Sequence, residues 1–175
     1  MKGAVFLDRD GVINRVVFRD GKPGSPRSLE EFEFESGVES ALTALHRRSW
    51  QLYVVTNQPD LARGLLDQET SEAITRRVLE RLPVRRVLIC GHDDRDECDC
   101  RKPKPGLLLR VKEEDGIDLG SSWMIGDSAR DAGAARSAGC MSIIISRHYN
   151  LDSKADFRVA TIGDAVELIG NSAME

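Results

Sequence analysis

"GAVFLDRDGV", residues 3–12, decides how this chain folds. Four apolar residues, Ala4 to Leu7, run without interruption into Asp8-Arg9-Asp10-Gly11. A short apolar run that stops at a turn signal reads as a strand buried on both faces, and such strands belong to parallel sheets. Ligands of open parallel sheets gather at the carboxyl ends of the strands, which is where the two aspartates stand. A lone D-x-D-G is common in turns, and alone it says no more than that. A calcium loop beginning at Asp8 fails, because its fifth position is Val12 and its twelfth is Arg19 where a bidentate Glu is needed.

The same kind of run recurs along the chain. "QLYVVTN" (51–57), "RRVLIC" (85–90), "SWMIGD" (122–127) and "SIIIS" (142–146) each predict a buried strand, and "DFRVA" (156–160) predicts a weaker sixth. Helical patterns fill the gaps at 37–48, 68–81, 106–114, 130–138 and 162–169. In the first, Val38, Leu42 and Leu45 recur at helical spacing and leave Glu39 and Arg47 for solvent. Strand–helix alternation predicts an α/β fold: a Rossmann-like, mostly parallel sheet with helices on both faces. With no internal repeat and no linker, residues 1–175 read as a single domain. "RDGKPGSPRS" (19–28) reads as a turn-rich loop, and the closing "GNSAME" (170–175) is expected to fray.

Composition narrows the function classes. A net charge of −4 and 5% aromatic residues argue against a general binder of nucleic acid or acidic membrane. "MKGAVFLDRDGV" has one basic residue and reaches Asp8 too early for a secretory leader. The expectation is a cytoplasmic monomer whose thiols stay reduced.

Three predicted strand ends carry chemistry. The first delivers Asp8 and Asp10, the second Thr56-Asn57-Gln58, and the fourth Asp127, with Asp131 four residues on. A carboxylate pair plus a third Asp makes a partial cage for a hard cation, and Mg²⁺ prefers such a cage because it keeps water and phosphate in its remaining positions. Asp131 either orients Lys102 by an ion pair or interacts with the start of its helix.

A second cluster is soft. Cys90, His92, Cys98 and Cys100 read C-x-H-x5-C-x-C and include three of the chain's four cysteines. Residues i and i+2 of an extended segment point the same way, so each pair can offer two ligands to one ion. Cys₃His closes a tetrahedral zinc site with no open position, the form of a structural metal. The zinc loop 90–100 is polar and carries five Asp or Glu residues, so without metal it should be mobile. Arg101 and Lys102 follow directly, and zinc would fix them in place. Cys140 reads as a core thiol.

Asp8-x-Asp10-Gly11, Thr56, Lys102 and Gly126-Asp127-x-x-x-Asp131, in that order, resemble the four motifs of the haloacid dehalogenase superfamily of phosphohydrolases. The resemblance implies that Asp8 is a nucleophile forming an aspartyl-phosphate. It implies that Asp10 protonates the leaving oxygen and then activates water, and that Thr56 and Lys102 hold the phosphoryl oxygens. Asp8, the Asp10 carbonyl and Asp127 would ligate Mg²⁺. "CGHDDRDECDCRKPKPG" (90–106) is similar to the cap-less, zinc-containing subgroup that includes the heptose bisphosphate and histidinol phosphate phosphatases. Only some forty residues separate Asp10 from the second strand, too few for a cap domain. Thr56-Asn57-Gln58 with Ala62-Arg63-Gly64 favours the heptose branch, with Asn57, Arg63 and Arg101 on the substrate, a small sugar phosphate. "NRVVFRDGKPGSP" (14–26) and Pro59-Asp60 depart from that branch. The alternatives are a histidinol phosphatase, a nucleic-acid 3′-phosphatase and a zinc-knuckle binding module. The last leaves Asp8, Asp10, Thr56 and Asp127 without a role.

Overall fold

The computed structural model describes residues 3–172. Along β1 (Ala4–Leu7), Ala4 and Phe6 enter one core layer while Val5 and Leu7 enter the other, all fully buried. That two-sided burial is what the unbroken apolar run requires. β1 lies in the middle of a six-stranded sheet with β4 (Gln51–Asn57), β5 (Arg86–Cys90), β6 (Trp123–Gly126), β7 (Met141–Ile145) and β8 (Phe157–Val159). The order is β5-β4-β1-β6-β7-β8, and every pairing is parallel. Counting only these six strands, it is the doubly wound order, which reverses direction at β1.

Helices cover both faces. α1 (Val38–Arg47), α2 (Gln68–Arg81) and α5 (Ile162–Ser172) set Leu42, Leu45, Ile74, Val78 and Ile169 against Val5, Leu7, Val54 and Ile143. α3 (Gly106–Asp115) and α4 (Ala129–Ala138) set Leu107, Leu108, Val111, Ala134 and Ala135 against Phe6, Tyr53, Val55 and Met124. Local chemistry fixes the starts. Asp67 caps α2 by accepting from the Thr70 amide at 2.7 Å, and Ser128 with Asp131 forms a capping box on α4. Glu39 and Arg47 are exposed, as the helical spacing requires.

Two expectations change. Residues 19–28 are not merely a turn-rich loop: β2 (Val17–Arg19) and β3 (Lys22–Gly24) form an antiparallel hairpin. Its turn is Asp20-Gly21, both at positive φ (51° and 73°), the backbone that an Asp-Gly hairpin turn uses. Three-residue arms, one holding Pro23, are too short to show a two-residue period. At the other end, Gly170–Ser172 continue α5 instead of fraying, and the last three residues of "GNSAME" lie outside the described residues. Between Asp10 and β4 the chain holds only loops, the hairpin and α1, so no cap domain is present there. Among the described residues no helix is long and apolar enough to cross a membrane.

Leu45 is fully buried between α1 and the sheet. Leu45→Ala should therefore cost about 2–5 kcal/mol of stability. Urea unfolding is expected to show a lower midpoint with an unchanged slope.

Candidate active site

The reversal of strand order at β1 opens a cleft of about 430 Å³ lined by Asp8, Asp10, Asn57, Lys102 and Asp127 together with the hairpin. Asp8 extends β1, its amide donating to the Ile125 carbonyl at 2.9 Å. The chain then turns, with Gly11 at φ 82°. A Cβ on Gly11 would stand 2.0 Å from Oδ2 of Asp127, so only glycine lets these two strand ends meet.

Lys102 is the centre of the site. Its side chain is 2% exposed, and its ammonium lies 2.8 Å from Asp8 Oδ1 and 2.6 Å from Asp131 Oδ1 and donates to the Val55 carbonyl at 2.8 Å. Burial alone would lower its pKa, but Asp131 and Asp8 hold it above its ordinary value, so it stays charged. Asn57 clasps the lysine backbone twice, accepting from its amide and donating to its carbonyl, both at 3.0 Å. Asp131 does both things its sequence position allowed. One oxygen pairs with Lys102 while the other accepts from the Ser128 amide and hydroxyl at the start of α4.

Asp10 sits in a ring of donors. Arg9 pairs with it at 3.1 Å, and Asn14, Ser25 and Gln58 donate to it at 3.0, 2.7 and 2.8 Å. Burial pushes its pKa up, yet Arg9 and these hydrogen bonds outweigh burial and leave it below the usual carboxylate value. The Gln58 amide also donates to Thr56 Oγ1 at 2.8 Å, which leaves the buried threonine hydroxyl its own proton to give. Asp8 and Asp127 behave in the opposite way. Burial, then the charge of Asp131, raises Asp8 well above the ordinary value and Asp127 to about 7, against the pull of Lys102.

These directions test the fit of a cation. Among the described residues, the cations within ion-pair distance of Asp8, Asp10, Asp127 and Asp131 are Lys102 and Arg9, an imbalance of two negative charges. One divalent ion would cancel it. Asp8, Asp127 and Asp131 can bring ligand oxygens within 4.8 Å of one another, but both oxygens of Asp131 are already engaged. Asp8 and Asp127 are the carboxylates free to ligate.

The soft cluster assembles as the spacing predicted. Sγ atoms of Cys90, Cys98 and Cys100 lie 3.1–3.7 Å apart, and His92 Nδ1 is 3.2 Å from Cys100 and 3.7 Å from Cys90. Tetrahedral zinc with bonds of about 2.3 Å to sulfur needs edges of roughly this length. Burial and the neighbouring thiols push the Cys100 thiol up to about 12, an acidity problem that a zinc ion removes. Cys140 is buried in the core, apart from this group.

The two arginines expected on substrate are engaged elsewhere. Arg63 forms a two-pronged pair with Asp93 at 2.7 and 2.8 Å, and Arg101 pairs with Asp94 at 2.6 Å and donates to the His92 carbonyl. Neither lines the main cleft; Arg101 lines a smaller adjoining one. The acidic residues of the zinc loop, read in the sequence as merely polar, are their counter-ions.

A family model for haloacid dehalogenase-like hydrolases matches residues 25–139, a span that includes Thr56, Lys102, Asp127 and Asp131. The chain belongs to the haloacid dehalogenase-like hydrolases. Within that family it is 36% identical over 150 residues to the D-glycero-beta-D-manno-heptose-1,7-bisphosphate 7-phosphatase of Pseudomonas aeruginosa, covering 82% of this chain and 81% of the relative. The enzyme of the same name from Vibrio cholerae is 37% identical over 158 residues, covering 83% and 82%. The crystal structure of D,D-heptose 1,7-bisphosphate phosphatase from B. bronchiseptica, complexed with magnesium and phosphate, superposes with a TM-score of 0.85. It is 29% identical and covers 98% of this chain and 99% of that one.

Several residues of this hydrolase site carry no motif. Ser25 reaches Asp10 from just beyond the hairpin, and Arg130 lines the cleft with its nearest carboxylate, Asp94, 3.8 Å away. After β7, Arg147 donates to the Gly11 carbonyl, Tyr149 to Asp127 Oδ2 and Asn150 to the Asp127 carbonyl. The sequence signal for these was weak: "SRHYN" (146–150) simply follows a strand, at the edge where ligands bind.

Two outcomes are expected. Gly11→Ala should fold yet lose Mg²⁺ affinity, measured by calorimetry, because its methyl displaces Asp127. Cys98→Ser, or stripping zinc with a chelator, should lower amide protection across 91–102 by about tenfold or more in hydrogen exchange, with the central strands unaffected.

Proposed function

We propose that this protein is a Mg²⁺-dependent phosphomonoester hydrolase that removes the 7-phosphate of D-glycero-D-manno-heptose 1,7-bisphosphate. The observation that carries the reading is the buried contact between Asp8 and Lys102 beside Asp10, in a chain whose relatives are phosphatases of that sugar. Those relatives are named for the beta anomer, and the same anomer is proposed here.

In this reading Asp8 attacks phosphorus and the bond to the sugar oxygen breaks, giving an aspartyl-phosphate. Asp10 delivers its proton to the departing oxygen. It then takes a proton from a water that attacks phosphorus, which breaks the bond to Asp8 and frees inorganic phosphate. The donors around Asp10 keep it ionised in the empty site, so it gains the proton as the phosphate dianion arrives, whose charge opposes those donors. Thr56 and Lys102 neutralise and orient the phosphoryl oxygens. Asp8, Asp127 and the Asp10 carbonyl would hold Mg²⁺, which when bound offsets the repulsion between an anionic nucleophile and an anionic ester.

Zinc held by Cys90, His92, Cys98 and Cys100 is structural. It fixes the segment from which Arg101 and Lys102 emerge. Asn57 serves the substrate by holding Lys102 toward it. Arg63 and Arg101 meet the second phosphate by exchanging their carboxylate partners, Asp93 and Asp94, for phosphate oxygens, one charge-assisted hydrogen bond replacing another. The chain is taken to act as one domain over 1–175, a cytoplasmic monomer without nucleic-acid or membrane partners, consistent with its net charge of −4.

Phosphate release with Mg²⁺ tests this on both heptose bisphosphate anomers, histidinol phosphate and a 3′-phosphorylated oligonucleotide. A kcat/KM preference of about a hundredfold for the beta heptose substrate is expected, nearly 3 kcal/mol of transition-state discrimination. Asp8→Asn should abolish turnover and keep its zinc. Preference for histidinol phosphate by the same margin would overturn the substrate, and an active Asp8→Asn would overturn the mechanism.

A further inference from the structure

Tyr149 belongs to none of the motifs, yet it joins the candidate cation site to the cleft wall. Its hydroxyl donates to Asp127 Oδ2 at 2.5 Å. With one oxygen engaged, Asp127 has the other to give an ion. Asp127 is also fixed through its backbone, where Asn150 donates to its carbonyl at 2.7 Å and to the Ile145 carbonyl at 2.8 Å. The carboxylate is therefore oriented by the segment after β7, from outside its own loop.

The ring of Tyr149 faces the hairpin. Phe18 of β2 meets it edge-on at 5.9 Å and stacks on His148 at 5.3 Å, while His148 and Tyr149 meet at 5.2 Å. Phe18 is 47% exposed, an odd place for a large aromatic unless its contacts matter. A two-stranded hairpin is marginal alone and needs such anchors. This one has Phe18 on the aromatic pair, Arg19 on the Ser25 carbonyl and Glu31, and Ser25 on Asp10. Val16, Pro23, Gly24 and Ser25 line the cleft that holds Asp8 and Asp127. One small element thus touches the acid–base carboxylate through Ser25 and the cation carboxylate through Phe18 and Tyr149.

We propose that Tyr149 is a positioning residue for the divalent cation and that, through its packing on Phe18, it couples cation binding to the hairpin wall of the substrate cleft. The proposal rests on the reading that Asp8 and Asp127 hold the ion. Ordering the hairpin would preset Asp127 for the ion, and by linkage the bound ion would order the hairpin by the same factor. In a chain without a cap, this gives the substrate-facing wall a way to respond to whether the metal is in place.

Calorimetric titration of the zinc-loaded protein with Mg²⁺ tests it without turnover. Tyr149→Phe keeps the ring and removes only the hydroxyl, so it is expected to raise the Mg²⁺ Kd about tenfold, or about 1.4 kcal/mol. Phe18→Ala keeps the hydroxyl and loosens the hairpin. A rise of about threefold in Kd is expected, together with faster amide exchange across residues 17–24 that Mg²⁺ no longer suppresses. In turnover assays both variants should need more Mg²⁺ for half-maximal rate, and Tyr149→Phe should recover as Mg²⁺ is raised. Unchanged Mg²⁺ affinity in Tyr149→Phe would overturn the positioning role. A Phe18→Ala variant with altered KM but wild-type Mg²⁺ affinity would overturn the coupling. If the wild-type protein binds no Mg²⁺, or Asp127→Asn binds it equally well, the cation reading itself fails and the inference falls with it.

Discussion

A lysine ammonium buried between two carboxylates is the constraint on which the site depends. Lys102 is almost wholly removed from water, so its charge must be matched in place, and Asp8 and Asp131 do this with the Val55 carbonyl. A buried ion pair of this kind contributes little net stability against a well-packed apolar alternative, but losing one partner strands a charge. Its value is positional. Asp8 comes from the end of β1, Asp131 from the first turn of α4, Val55 from β4 and Lys102 from the segment after the zinc loop. Four separate parts of the chain meet at one ammonium, and each has its own device for arriving there. The strand register carries Asp8, the Ser128 capping box aims Asp131, and the Asn57 clasp holds the lysine backbone.

The electrostatics divide the carboxylates by role. Asp10, ringed by Arg9 and three hydrogen-bond donors, is held as an anion, while Asp8 and Asp127 are pushed the other way by burial and by their neighbours. A cation would relieve the second pair far more than the first. The inequality arises because Asp8 takes its donors, the Arg9 amide and the Lys102 ammonium, on one oxygen and Asp127 takes the Tyr149 hydroxyl, too little in either case to outweigh burial and the charge of Asp131. The same logic holds in the zinc loop, where burial makes Cys90 and Cys100 resist ionising until a metal takes the protons' place.

Most of the fold was legible because its signals are long and repeated. The apolar runs located the six sheet strands, and the parallel order followed from alternation with helices. α2 was delimited at both ends by its helical pattern, read as 68–81 and found as Gln68–Arg81. The hairpin escaped because a two-residue period needs more than three residues per arm, although Asp20-Gly21 was visible between them. At the site, Asp8, Asp10, Thr56 and Asp127 were legible because they stand at strand ends, the zinc ligands because i, i+2 pairs of soft residues are rare, and Lys102 because it follows those ligands directly. Tyr149, Asn150 and Ser25 act through one hydrogen bond or two each, and a single donor in a loop has no period to betray it. Arg63 and Arg101 illustrate the converse. Their chemistry was apparent, but sequence could not say that Asp93 and Asp94 already occupy them.

A chain without a cap must enclose its cleft by other means, and here two small elements flank the strand ends. The zinc loop stands on the side of β5, built of polar residues that a metal and three arginines can order: Arg63, Arg101 and Arg130 around Asp93 and Asp94. The hairpin stands on the other, ordered by Phe18, Arg19 and Ser25. Neither is built as a core, so the zinc loop takes its order from metal and ion pairs and the hairpin from the site it encloses. That dependence has a physical consequence for catalysis. The hairpin wall, which leans on Asp10 through Ser25 and on Asp127 through Tyr149, is best formed when those carboxylates are in place, which makes the state of the site and the shape of that side of the cleft one property.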